Sequence, residues 1–192
     1  MHPVPVVLSG QRVRVEPLEA RHAADLLAAA ADPEIWRYLP ARQPASLAEM
    51  ESFILGAGKE PDQIPFAVIA QASDRAVGST RFLEIRPADL ALEIGWTWYA
   101  REAQRTAVNT ECKYLLLSHA FDALGAQRVQ FKTDLRNVRS QRAIERIGAV
   151  KEGVLRKQRI MPDGYVRDSV YYSILDAEWP AVRSRLEAML RA

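Results

Sequence analysis

Three short stretches carry residue types whose spacing could do chemistry. In the run Tyr99-Ala-Arg-Glu-Ala-Gln-Arg-Thr-Ala-Val-Asn-Thr-Glu111, two arginines lead into a helix marked by Tyr114, Leu117, Phe121 and Leu124, a single apolar stripe. That stripe predicts Asn109 near the N-cap and Glu111 in the first turn, where a carboxylate complements the helix dipole. The free amides of such a turn, with Arg101 and Arg105 beside them, would suit a pyrophosphate. The same run also reads as an ordinary capped helix with solvated arginines. A second stretch, Arg128 to Ala149, reads as a strand followed by a helix that opens at Asn137 and closes at Gly148. In the third, Leu92-Glu93-Ile94-Gly95-Trp96, strand alternation puts Glu93 on the opposite face from Leu92 and Ile94. Burial there would raise its pKa toward the range of a general base; the alternative is a solvent-facing strand glutamate.

The elements that must position these residues follow from patterning. Arg12 to Glu16 alternates like a strand, and Ala20 to Ala31 reads as an alanine-rich helix ended by Asp32-Pro33. Ser46 to Leu55 is a second helix with Ser46 and Glu49 in a capping-box pattern. Phe66 to Ala70, Ala76 to Ile85 and Leu90 to Tyr99 form an antiparallel meander, the last two joined through Arg86-Pro-Ala-Asp89. A helix from about Thr110 to Leu124 precedes the strand Arg128 to Thr133. Two late strands flank Met161-Pro-Asp-Gly164, whose composition fits a tight hairpin. Trp179, Val182, Leu186 and Met189 mark a final amphipathic helix. With no repeat or linker, the pattern is one α+β domain over residues 1–192 with a mixed, mostly antiparallel sheet flanked by helices.

Bulk properties narrow the function. A chain of 192 residues with 48% hydrophobic and 26% charged residues is ordinary globular composition. A net charge of +2 gives no basis for nucleic-acid binding by charge alone. Locally, Gln127 to Arg159 holds ten Lys or Arg against three acids, which could attract a polyanion or simply form a solvated face. The lone Cys112 excludes an intramolecular disulfide and, with no histidine nearby in sequence, reads as packing. His2, His22 and His119 show no metal-like spacing, so no metal site is expected. The N-terminus lacks a basic secretory leader and no run approaches a membrane span, so the expectation is a cytoplasmic protein without membrane contact.

Taken in order, the three stretches resemble the GCN5-related N-acetyltransferase (GNAT) family, over about residues 12–179. The loop matches that family's Q/R-x-x-G-x-G/A signature for acetyl-CoA at Gln104, with Ala107 and Asn109 where glycines usually occur. The second stretch matches a strand, an N-x-x-S/A helix and an L-G-F/A ending. Leu92 to Trp96 is similar to the E-I-G-Y/W strand of the branch that acetylates ribosomal-protein N-termini. The resemblance implies the acetyltransferase fold, in which two neighbouring strands splay to admit the pantetheine arm. It also implies acetyl-CoA as donor, a primary amine as acceptor (a protein N-terminus or a small amine), and the homodimer common among relatives.

Carried over residue by residue, the resemblance assigns Gln104, Arg105, Thr106, Ala107, Val108, Asn109 and Thr110 to the pyrophosphate. The glycine positions favour positive φ, which Asn109 tolerates and Ala107 tolerates poorly. Backbone amides of Thr97, Trp98 and Tyr99 would polarise the thioester carbonyl. Glu93 would be the base, directly or through water. The tyrosine that many relatives carry near the sulfur is replaced by Ile144, which leaves Ser140 to hydrogen-bond the leaving sulfur. Asn137 would cap its helix and contact the pantetheine arm. The acceptor side maps to Trp36, Tyr38 and Tyr165, with plain packing as the alternative for the first two. A longer acyl donor such as succinyl-CoA would need a basic pocket near Glu93, and a non-catalytic acyl-CoA-binding domain would fit the substituted loop and the absent tyrosine.

Overall fold

The computed structural model describes residues 1–191. Eight strands form one sheet in the order β1-β2-β3-β4-β5-β6-β8-β7. The first five are β1 (Leu8–Ser9), β2 (Val13–Pro17), β3 (Ile64–Ala70), β4 (Arg75–Arg86) and β5 (Ala91–Tyr99). They run as an antiparallel meander. Beyond them lie β6 (Arg128–Asp134), β7 (Val150–Ile160) and β8 (Val166–Leu175). The single parallel pairing is β5 with β6, and it spans only Ala91↔Arg128, Leu92↔Val129 and Glu93↔Gln130. Past that point β5 turns to β4 alone, while β6 continues along β8 as far as Asp134↔Ser169. The two strands therefore part immediately after Glu93.

Five α-helices cover the two faces. On one, α1 (Ala23–Ala29) and α2 (Leu47–Ala57) bury Leu26, Met50 and Ile54 against Ile69 and Trp98. On the other, α3 (Ala107–Ser118), α4 (Val138–Arg146) and α5 (Trp179–Arg191) enclose a core that includes Phe66, Phe82, Leu116, Phe131 and Leu186. Phe66 and Phe82 meet edge to face, their centroids 5.4 Å apart. A sheet with both faces buried explains why β5 reads as a nearly continuous apolar run. The hairpin turn is closed by Gly164 N–H to the Met161 carbonyl, with Gly164 at φ +85°.

Local capping corrects two sequence expectations. α3 starts three residues earlier than the stripe implied: Thr106 is the N-cap, its hydroxyl accepting from Val108 N–H, and Asn109 lies within the first turn. The apolar stripe marks only the part of the helix that meets the core, so it could not report the solvent-facing first turn. In α2, Ser46 caps as expected, but the Glu49 carboxylate reaches back to the Ala45 amide rather than to Ser46. α3 ends in a π turn, His119–Ala123, which reseats the chain so that Phe121 stacks on Trp179.

Glu111 does not serve the helix dipole. It is buried, and its carboxylate accepts three backbone N–H groups from the turn between β1 and β2: Gln11 at 3.0 Å, and Arg12 and Val13 each at 2.7 Å. Gly10 allows this approach, because a Cβ there would lie 2.6 Å from the Glu111 carboxyl carbon. Replacing Glu111 with alanine strands three amide donors and should cost more than about 2 kcal/mol of stability, read as a lower urea midpoint with an unchanged m value. An unaltered midpoint would show that this clamp contributes nothing.

Candidate active site

The parting of β5 and β6 opens a cavity of about 1080 Å³ that reaches from the start of α3 to the face under α2. At its centre, β5 carries a bulge: Ser79 pairs with Trp98 and Arg81 with Gly95, so Trp96 and Thr97 oppose Thr80 alone. Trp96 adopts φ +50° to make it. The bulge breaks the alternation of the strand. Trp98 packs toward α1 and α2, and Tyr99 toward α3.

Glu93 sits at the fork. It is 2% exposed, accepts from Gln130 Nε2 at 2.8 Å and pairs with Lys132 Nζ at 3.3 Å. Burial raises its pKa above the usual carboxylate range, and Lys132 opposes that rise. Gly95 leaves room for it, since a Cβ there would come within 2.9 Å of the Glu93 carboxylate. A side chain at 95 would push the carboxylate out of the fork.

The end of the cavity at α3 is basic and rich in backbone donors. Positive φ falls on Arg105, at +60°, while Ala107 begins the helix. Neither substituted glycine position, Ala107 or Asn109, therefore has to adopt positive φ. Gln104 ties this loop down: its Nε2 donates to the Tyr99 carbonyl, and its Oε1 accepts from Arg139 of α4. Gln104, Arg105, Thr106 and Asn109 line the cavity; Ala107 and Val108 turn away, and Thr110 is buried under Arg146, whose Nη2 donates to its hydroxyl. An adjoining recess of about 530 Å³ is lined by Arg101, Arg105, Arg136 and Arg139. On α4, Asn137 Oδ1 accepts from Ser140 N–H as the N-cap, and Asn137, Ser140 and Ile144 all face the cavity. These residues fit a nucleotide diphosphate with a thiol-bearing arm: amides and arginines at one end, a slot between strands at the other.

The acceptor-side expectations divide. Tyr38 lines the cavity. Tyr165 stacks under the Arg136 guanidinium, its ring centroid 3.3 Å from Cζ, and Tyr38 lies on the same cation at 5.7 Å. Trp36 does not reach the cavity; it is buried against Phe53 and Trp98 and donates Nε1–H to the Ala30 carbonyl. Its role is packing.

Of the buried cations in the cavity, sequence reasoning missed Lys113, Arg81 and Arg167. Lys113 of α3 is buried and donates to the Thr97 hydroxyl at 2.7 Å, which in turn bonds to Thr80. Burial pulls its pKa down to about 8. Arg81 of β4, also buried, stacks on Trp96. The signal for both was a long cation placed within an otherwise apolar pattern. Among the described residues there is no cluster of three or more His, Cys, Asp or Glu suited to a metal, and no helix is long and apolar enough to cross a membrane.

Lys113 gives a stability prediction with a definite sign. Its folded pKa is depressed, so the folded state binds fewer protons than the unfolded one between pH about 8 and 10.5, and stability rises with pH through that window. Below it the full cost of burying the cation is present. Lys113→Met should therefore stabilise the protein at neutral pH by up to about 3 kcal/mol, a gain that shrinks toward pH 10 in denaturant titrations. A gain independent of pH would refute a buried charged lysine.

The comparisons with known proteins agree with this geometry. The Acetyltransferase (GNAT) domain family matches residues 12–150. A GCN5-related N-acetyltransferase from Brucella melitensis superposes with a TM-score of 0.94 at 34% identity, covering 98% of this chain and 86% of that one. Mycobacterium smegmatis RimJ, solved in complex with CoA-disulfide, shares the fold with a TM-score of 0.85 at 22% identity, covering 100% and 98%. The Bacillus subtilis (strain 168) protein named "Putative ribosomal N-acetyltransferase YdaF" is 36% identical over 87 residues, which span 45% of this chain and 46% of that relative. With the family matched over most of its length, a split sheet, and an anion-ready helix start at the split, the chain belongs to the GNAT family of N-acetyltransferases.

Proposed function

We propose that the protein transfers an acetyl group from acetyl-CoA to a primary amine, either a protein N-terminus or a small amine. The observation that carries this reading is the separation of β5 from β6 directly after Glu93, which leaves a buried carboxylate at the mouth of a slot with amide and arginine donors at its far end. The matched family and the CoA-bound RimJ support acetyl-CoA as donor.

Each step falls to a residue of this chain. Gln104, Arg105, Thr106 and Asn109 hold the diphosphate, and Asn137 sits beside the pantetheine arm. An amine arrives largely protonated at neutral pH, and Glu93 accepts its proton, directly or through one water. The neutral nitrogen attacks the thioester carbon, whose oxygen takes hydrogen bonds from β5 backbone amides in the stretch Thr97 to Tyr99, where no strand pairs on the β6 side. As the C–N bond forms and the C–S bond breaks, the Ser140 hydroxyl hydrogen-bonds the departing sulfur. The amine's second proton leaves with the thiol. Ile144 offers no acid, so Ser140 is the polar side chain α4 presents next to it in this role.

The test is thiol release from acetyl-CoA over a panel of amines. Glu93→Gln should lower kcat at least about 100-fold with CoA affinity retained. In the wild type, kcat should fall as pH drops through the raised pKa of Glu93, at higher pH than an ordinary carboxylate would dictate. Binding of CoA without release under every acceptor would instead favour an acyl-CoA-binding domain. For the donor end, Arg105→Ala should weaken CoA about ten-fold by calorimetry, and an unchanged Kd would show the diphosphate lies elsewhere.

A further inference from the structure

The acceptor side of the cavity contains a guanidinium with no counter-ion. Arg81 is 5% exposed, yet no carboxylate among the described residues lies within ion-pair distance of it. Its one hydrogen bond is from Nη1 to Gln63 Oε1 at 2.9 Å, and Nε is sealed from solvent without an acceptor. The plane is held by aromatic rings: Cζ lies 4.1 Å from the Trp96 centroid and 5.5 Å from that of Phe53. Burial lowers its pKa to about 10, with Glu60 the one acid that offsets this. A cation so desolvated normally has a partner.

Its position says where that partner would come from. Arg81 pairs with Gly95 and Leu83 with Glu93 across β4 and β5, so Arg81 and Glu93 project from the same face of the sheet, two register steps apart. Both line the cavity beneath α2. A second buried arginine, Arg167 of β8, lines the same space; its Nε donates to Ser169 and it too has no carboxylate within ion-pair distance. The acid nearest the reaction, Glu93, is already paired with Lys132. Of the other acids lining the cavity, Glu84 shares Lys132 with Glu93, and Glu34, Glu60 and Asp62 are not within ion-pair distance of Arg81 or Arg167, so both guanidiniums stay unmatched beside the aromatic rings.

We infer that Arg81 is the anchor of an anion subsite that takes a carboxylate of the reacting pair, held on the Glu93 face within reach of the fork. The inference rests on the transferase reading above and narrows its substrate class. The carboxylate enters on either the acceptor amine or the acyl chain. An aromatic-backed guanidinium is suited to it, since stacking fixes the plane in which a carboxylate is received. Substrates lacking the group leave the charge unmatched and are discriminated against.

Matched pairs separate the sources. With acetyl-CoA, thiol release is measured for glycine against methylamine, β-alanine against ethylamine, and phenylalanine against phenethylamine. With the preferred neutral amine, succinyl-CoA is measured against butyryl-CoA. A carboxylate on the correct partner should raise kcat/KM about 10- to 100-fold, and Arg81→Gln should collapse that ratio while leaving the KM for acetyl-CoA in place. Arg81→Lys, which keeps a charge without the planar fork, should retain part of the ratio and so guards against a folding defect. Preference within the amine pairs puts the carboxylate on the acceptor; preference for succinyl-CoA puts it on the acyl chain. Turnover with no carboxylate preference above about three-fold in either arm overturns the subsite and leaves the transferase standing. CoA binding without turnover in any arm overturns both.

Discussion

The shortness of the β5–β6 pairing is the constraint on which the site depends. Three register pairs hold the two halves of the sheet together, and the next residues of each strand have other neighbours. A parallel ladder that stopped later would close the slot; one that stopped earlier would leave Glu93 without Gln130 opposite it. The bulge at Trp96 and Thr97 is part of the same arrangement, because it bends β5 away and breaks the alternation of its side chains, so that Trp96 lies toward α2 against Phe53 and Arg81. Both faces are packed by helices, so the divergence is set in a rigid frame.

Electrostatics around the slot follow from this opening. Glu93, Lys113, Arg81 and Arg167 are all buried, and only Glu93 has a partner of opposite charge. Lys113 reaches from α3 to Thr97, and Arg81 rests against Trp96 on the opposite face of the sheet. Such unmatched cations lower the stability of the free protein, and they are found where a ligand with negative or strongly polarised groups would lie.

Much of this was legible from the chain. The meander, the crossover through α3, the hairpin at Met161 to Gly164 and the terminal helix follow from alternation, apolar stripes and turn residues, and the structure places them within a few residues of the expected bounds. Asn137 as a cap and Glu93 on the face away from Leu92 and Ile94 were likewise readable. Where local pattern failed, a tertiary contact decided. The true cap of α3, Thr106, carried a recognisable residue type but preceded the stripe. Positive φ falls on Arg105, next to a Gln104 that pins the loop to the Tyr99 carbonyl, a contact no propensity encodes. Trp36 is removed from the cavity by its fit against Phe53 and Trp98. Arg81 and Lys113 needed the register across the sheet and the tilt of a helix before their isolation could be seen.

The Glu111 clamp has a consequence for how this chain can vary. Its partners at Gln11, Arg12 and Val13 are main-chain amides, which every amino acid except proline supplies. Drift in the side chains of that N-terminal segment would thus leave the tether intact, whereas position 111 has no freedom and position 10 must stay without a side chain. Methods that look for paired changes between the two segments would find almost none, although the helix that opens at the cavity is physically moored there.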